Sequence, residues 1–274
     1  MMTVILSALM RDKGCEPFRF FIYTMDLTRL DSKYTPVTDT DTAFLDRVAK
    51  SYRPDNSVIK IDVTDIYDRE FSGCPNEDAY CSPYTLIRLL ADIVPDMPDK
   101  LLYLDVDVLF NRSAHLIYDI DIEGYEYASA PDHYGKYLIN RAYINAGVIL
   151  FNLKEAKRTG LLVKARELIR QKKLLFADQS ALIRATTKRK LLKQKFNDQK
   201  FLKRDTVIRH FSKRLFYLPY PHIDNIKPWQ VDKIHRVFHY REFDDILTEY
   251  QRLKKELESE KNQNEKDNPD FLRS

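Results

Sequence analysis

KLLYLDVDVLF, residues 100–110, decides the architecture of this 274-residue chain. The run is almost continuously apolar, and only Asp105 and Asp107 interrupt it. Such a run reads as a buried strand of the parallel type, with helices on both faces of the sheet. Buried ionised carboxylates are costly unless they are paired, hydrogen-bonded or bound to metal. In an extended strand, positions i and i+2 project from one face roughly 7 Å apart, at ~3.3 Å per residue, which lets both carboxylates serve one site. Hard oxygen ligands point to Mg²⁺ or Mn²⁺. The bland alternative is a strand end whose carboxylates sit in water or cap a turn. Placement favours the metal, because ligands of open α/β sheets gather at the carboxyl ends of strands.

Outward from this run, residues 18–25, 58–63, 125–130, 143–152 and 207–211 also read as strands, being short, apolar, β-branched or aromatic. Helical spacing separates several of them. In residues 82–94, Ser82 is placed to cap, Pro83 suits the first turn, and Leu86, Leu89, Leu90 and Ile93 share a face. Residues 161–173, 177–187 and 243–260 read as further helices, and the polar, charged residues 261–274 as a frayed or disordered tail. Strands alternating with helices predict an α/β fold with one domain over residues 1–245, followed by a charged C-terminal helix and tail over 246–274.

Composition bounds the rest. A hydrophobic content of 44% suits a globular domain. The net charge of +4 hides polarisation: residues 184–214 hold twelve Lys/Arg against two Asp, a local +10, which leaves −6 for the remainder. Interleaved with Phe196, Phe201 and Phe211, this stretch suits an anionic membrane surface or an acceptor-steering role better than nucleic acid; a solvated face is the plain alternative. Cys15, Cys74 and Cys81 are odd in number and lack zinc-ligand spacing, which predicts neither a disulfide framework nor a zinc site and fits a reducing cytoplasm. The absence of a ~20-residue apolar run and of a secretory leader predicts a soluble protein, at most peripheral at the inner membrane face.

Four further constellations carry weight together. YINAGVILFNL, residues 143–153, places Asn145, Ala146 and Gly147 at the head of an apolar strand, where a glycine lets a ligand approach the backbone. Asp178 and Gln179 open a helix, His210 ends VIRHF, and Lys227-Pro228-Trp229 contains the only tryptophan. Singly, these are as readily an N-cap, a structural histidine and a turn. In this order with LYLDVDVLF, and with SPYTLIRLLAD before it, they resemble retaining glycosyltransferase family 8, which includes bacterial lipopolysaccharide sugar transferases and glycogenin. The resemblance implies a glycosyltransferase A-type fold, a Rossmann-like mixed and mainly parallel sheet flanked by helices. It also implies a UDP-sugar donor, Mn²⁺ (or Mg²⁺), a glycan, glycoprotein or glycolipid acceptor, and a role in cell-surface polysaccharide biosynthesis.

Carried onto this chain, the resemblance makes Asp105, Asp107 and His210 the metal ligands. Arg88 would hold donor sugar or phosphate, Asp132 and Asn145 sugar hydroxyls, and Ala146 and Gly147 the donor. Gln179 would lie beside the reacting carbon, with Asp178 orienting a hydroxyl. No carboxylate stands out as a covalent nucleophile, so same-face displacement is the expected route to retention. Two departures qualify this. The family's first strand, which grips the base, is missing ahead of a helix-like segment at residues 1–10; a short reading frame, a truncated start or a degenerate relative is expected. The segment from His210 to Lys227 is long and aromatic (Phe211, Phe216, Tyr217, Tyr220, His222), so Lys227 is the first expectation for the phosphate lysine and Lys213 the second. The competing functions are a non-catalytic nucleotide-sugar-binding relative and a metal-dependent nuclease or phosphotransferase with the basic stretch as phosphate track.

Overall fold

The structure is a computed structural model that describes residues 1–14, 16–77, 82–216 and 220–267. Cys15 and Cys81 of the cysteine count, Tyr217 of the aromatic segment and residues 268–274 of the tail lie outside them; Cys74 is a free thiol. In chain order, α1 (Met2–Met10) leads to β1 (Arg19–Thr24), α2 (Asp39–Tyr52), β2 (Ser57–Asp62) and α3 (Thr64–Phe71). A 3₁₀ helix at Pro83–Leu90 precedes β3 (Lys100–Leu104), β4 (Val108–Phe110), α4 (His115–Tyr118), β5 (Tyr127–Pro131), α5 (Gly135–Leu138) and β6 (Ile144–Asn152). Then come α6 (Leu153–Thr159), α7 (Leu161–Gln171), α8 (Ala177–Ala185), β7 (Arg189–Leu191), β8 (Ile208–His210), the antiparallel pair β9 (Arg214–Phe216) and β10 (His222–Asp224), α9 (Val231–Lys233) and α10 (Asp244–Asp267).

The alternation of strands and helices is as expected; the proportion of parallel pairing is not. β1–β2 and β5–β7 pair in parallel, while β3–β6, β5–β6, β4–β8 and β9–β10 are antiparallel. The sheet is therefore mixed. The decisive run is not one strand either: it breaks into β3 and β4 around a turn that carries Asp105 and Asp107. The break has a physical cause, because β3 pairs with β6 whereas β4 pairs with β8, and the chain must leave one sheet to join the other. The segment at 82–94 winds as a 3₁₀ helix over Pro83–Leu90, without a side-chain cap from Ser82, although Leu86, Leu89 and Leu90 are buried as their spacing demands. The tail expectation also needs correction, since helix α10 continues through Asp267. Ile246, Leu247 and Leu253 of that helix share a core cluster with Leu6 of α1 and Phe44 and Val48 of α2, so the division drawn at residue 245 marks no break in packing.

No ladder joins β1 to β3 among the described residues. Yet Phe21 and Tyr23 of β1 pack with Leu101 and Tyr103 of β3 in one cluster, and Phe20 packs with Leu102 and Leu104 in another. The two strands thus border the same two cores while each keeps an edge without a partner strand. Unpaired strand edges of this kind are destabilising.

Candidate active site

Three chain segments meet where β3 ends. Asp105 and Asp107 come from the β3–β4 turn, His210 from the last residue of β8, and Lys227 from the segment after β10. Backbone bonds fix the turn: the Asp105 amide donates to the Gly147 carbonyl at 2.8 Å, and the Phe211 amide to the Asp107 carbonyl at 2.9 Å. One ligand atom each from Asp105, Asp107 and His210 lies within 4.8 Å of the others. This is tighter than an extended strand would give, because the turn folds the two carboxylates toward each other. Gly147 makes room, since a Cβ there would stand 2.3 Å from His210 Cε1 and 2.8 Å from Asp105 Oδ2.

The imidazole is oriented by an amide. His210 Nδ1 meets Asn197 Oδ1 at 3.0 Å, while Asn197 Nδ2 donates to Asn145 Oδ1 at 2.9 Å. Asn197 therefore presents an acceptor to Nδ1, and Nε2 is the ring nitrogen turned toward Asp107. Nε2 faces Asp107 Oδ1 at 3.2 Å. Burial pushes the Asp107 carboxyl up, but His210 and Lys227, whose ammonium bonds Asp107 Oδ2, outweigh it and hold the group well below the usual carboxylate range. Carboxylate oxygens of Asp107 and Asp105 with the Nε2 of His210 form a donor set that fits a divalent cation.

Behind the turn lies a buried ion network. Arg88 donates to Asp105 Oδ1 at 2.8 Å, to the Ala146 carbonyl, and pairs with Asp178 Oδ2 at 3.2 Å, with its guanidinium 4.7 Å from the Tyr103 ring centre. Tyr103 donates to the same Asp105 oxygen at 3.0 Å. Desolvation works against the Arg88 charge, yet Asp105, Tyr103 and Asp178 raise its pKa overall. For Asp178 the balance falls the other way: burial raises its pKa in spite of Arg88. Arg88 therefore spends its donors on protein groups and positions Asp105 and Asp178. Asp178 is not the N-cap of α8, a place taken by Phe176.

Asp132, Asn145, Gly147, Ala146 and Gln179 take part in a second set of bonds. Asn145 Nδ2 donates to Asp132 Oδ2 at 3.0 Å, the Gly147 amide donates to Asn145 Oδ1 at 3.0 Å, and the Ala146 amide donates to Gln179 Oε1 at 3.1 Å. The other Asp132 oxygen accepts from the amides of Tyr134 and Gly135 at 3.0 and 2.7 Å. Asp132, Asn145, Ala146, Gly147, Asp178 and Gln179 are thus brought together with the ligand triad. Lys227 is brought to it as well, by its bond to Asp107, and Lys213 is exposed. Sequence reasoning missed Asn197 and Tyr103. The signal for Asn197 was present: Asn197, Asp198 and Gln199 break the basic stretch, and all three are buried.

A comparison with protein families matches residues 30–233 to Glycosyl transferase family 8. No curated protein matches the chain. Among solved structures, the galactosyltransferase LgtC in complex with donor and acceptor sugar analogues is similar, with a TM-score of 0.60 and 18% identity over 90% of this chain and 90% of that one. The bifunctional glycosyltransferase WbbM, in apo form, aligns with a TM-score of 0.57 and 14% identity over 86% of this chain and 49% of that one. GlyE of Streptococcus pneumoniae TIGR4 aligns with a TM-score of 0.54 and 16% identity, over 90% of this chain and 59% of that one. The chain spans about half the length of WbbM and nine-tenths of LgtC. At such identities the likeness establishes a shared fold, the glycosyltransferase A type.

Proposed function

The chain belongs to glycosyltransferase family 8, and from that premise we propose that it moves a hexose, glucose or galactose, from a UDP-sugar to a glycan, glycoprotein or glycolipid acceptor with retention. The observation that carries the proposal is the convergence of Asp105, Asp107 and His210 from distant segments with donor atoms within 4.8 Å. Asp105, Asp107 and His210 would hold a divalent cation, which would supply the positive charge that the departing diphosphate needs. Lys227, which bonds Asp107, is placed to turn its ammonium to the phosphate, and Lys213 is the second candidate. Asp132 and Asn145 are oriented by their mutual bond to receive sugar hydroxyls. Gln179, anchored on the Ala146 amide, lies beside the reacting carbon and shields it. Asp178, paired with Arg88, orients a sugar hydroxyl and is ill suited to be a nucleophile. Same-face displacement then leaves the acceptor proton to the leaving diphosphate.

Mn²⁺ is the preferred ion, the cytoplasm the preferred location, and the inner membrane face the preferred contact. The test is thermal stabilisation by a panel of nucleotide-sugars with and without Mn²⁺. A ligand at 100 times its Kd contributes about 2.7 kcal/mol to the native state, and the expected result is a rise for a UDP-hexose with Mn²⁺ only. No rise for any UDP-sugar defeats the donor assignment. The strand edges left open between β1 and β3 favour, as a second reading, a weakly active or non-catalytic relative; donor hydrolysis with Mn²⁺ separates the two. Arg209 of the basic stretch is withdrawn from the phosphate track that a nuclease reading would need, being buried against Phe211, Phe238 and Tyr240.

A further inference from the structure

One face of the protein exposes apolar side chains that the core does not use. Tyr137, Leu138 and Ile139 are 76%, 81% and 51% exposed at the end of α5, and Leu175, before α8, is 76% exposed. They flank a cleft of about 420 Å³ lined by Ile139, Tyr143, Leu175, Phe176, Arg184 and Arg189. The segments that wall it, residues 133–143, 171–177 and 183–196, together hold ten Lys/Arg and no Asp or Glu; Lys188 and Lys190 turn to Tyr125, which leaves eight cations for the cleft's surroundings. Lys136 ties the first segment to the third by donating to Gln194 Oε1 at 3.0 Å. Arg189 ties them again by donating to the Ala142 carbonyl at 3.0 Å.

We propose that this face docks on an anionic phospholipid bilayer, with Leu138, Ile139 and Leu175 entering the interface and the surrounding cations meeting the headgroups. Charge alone would suit any polyanion. The exposed leucines decide between them, because a polyphosphate or nucleic-acid chain offers no hydrocarbon to cover aliphatic groups, whereas the headgroup and acyl boundary does. The face is also coupled to the site. Helix α8 turns Gln179 toward Ala146, and its next residue, Ser180, toward the Tyr143 hydroxyl at 3.0 Å beside the cleft. Docking therefore brings the sugar site to the membrane surface, where an acceptor carried on a lipid presents its headgroup. The inference rests on the proposed membrane contact, not on the transferase reading; Mn²⁺-dependent donor hydrolysis without vesicles tests the latter separately.

The test is flotation of the full chain with phosphatidylcholine vesicles that do or do not contain phosphatidylglycerol. The parent protein is expected to float only with the anionic vesicles, more weakly at higher salt. Leu138→Asp with Leu175→Asp is expected to weaken binding at least tenfold, as is Arg141→Glu with Arg184→Glu, both exposed residues, with melting temperatures unchanged. Retained melting temperature separates lost docking from lost fold. No flotation at low salt overturns the proposal. So does binding that tracks the cations but ignores both leucines, which would assign the face to a soluble polyanion.

Discussion

Gly147→Ala isolates the geometry of the triad from the stability of the fold. An ideal Cβ at this position meets His210 Cε1 at 2.3 Å, Asp105 Oδ2 at 2.8 Å and His210 Nδ1 at 2.9 Å. Non-bonded carbons sit at about 3.5–4.0 Å, so the imidazole must recede by roughly 1 Å. The Gly147 backbone does not lie in the left-handed region, and alanine adopts it without strain. Overpacking of this kind costs about 1–3 kcal/mol. Disturbing the groups that orient metal ligands costs about 10–100-fold in metal affinity, and a 1 Å misplacement about 100-fold in rate. Titration calorimetry of Mn²⁺ into metal-free protein should show Kd raised about 10–100-fold. Gly73→Ala is the control: its φ of +71° makes alanine strained, but nothing lies within 4 Å of the added carbon. It should lower the melting temperature and leave Mn²⁺ affinity intact. A Gly147→Ala protein that binds Mn²⁺ within twofold of the parent would refute the assignment of Asp105 and His210 to one ion.

Asn197→Ala removes the acceptor that fixes the His210 tautomer, and should weaken Mn²⁺ about 10–100-fold with little change in donor affinity at saturating metal. Lys227→Ala should raise the donor KM, while Lys213→Ala leaves it near the parent value; the reverse pattern moves the phosphate contact to Lys213. Chelation should abolish donor hydrolysis, and Mn²⁺ should restore it. Glu126 accepts bonds from Thr186, Thr187 and the Lys188 amide, which hold its pKa below the usual value although burial opposes them. A depressed folded pKa contributes stability that is present above the unfolded value, about 4.3, and lost as pH falls through the folded one. Glu126→Gln should therefore cost about 1–3 kcal/mol at pH 7, and progressively less below about pH 4; a cost independent of pH would show that the charge is not what the threonines stabilise.

Much of the site was legible because its chemistry conflicts with its setting. Two carboxylates inside KLLYLDVDVLF demand a partner, and the structure supplies His210 and Lys227 next to Asp107, and Arg88 and Tyr103 next to Asp105. Gly147 was read as letting a ligand approach the backbone; what the structure brings against it are the side chains of His210 and Asp105. Asn197 was legible only as part of a break in the basic stretch, because a buried amide surrounded in sequence by lysines carries no periodic signal. For Arg88 the resemblance implied a donor sugar or phosphate to hold, and nothing in the sequence showed that Asp105, Asp178 and Ala146 would take its donors.

The sequence by itself determined the alternation of strands and helices, the buried character of residues 100–110 and the residue types of the site, since these follow from local periodicity and from the cost of burying charge. It did not determine that the run breaks at Asp105, nor that β3 and β6 run antiparallel. Strand partnership and register are contacts between residues far apart in the chain, and only the folded tertiary structure brings β6 and β8 to the two sides of that turn, and with them a histidine 103 positions after Asp107.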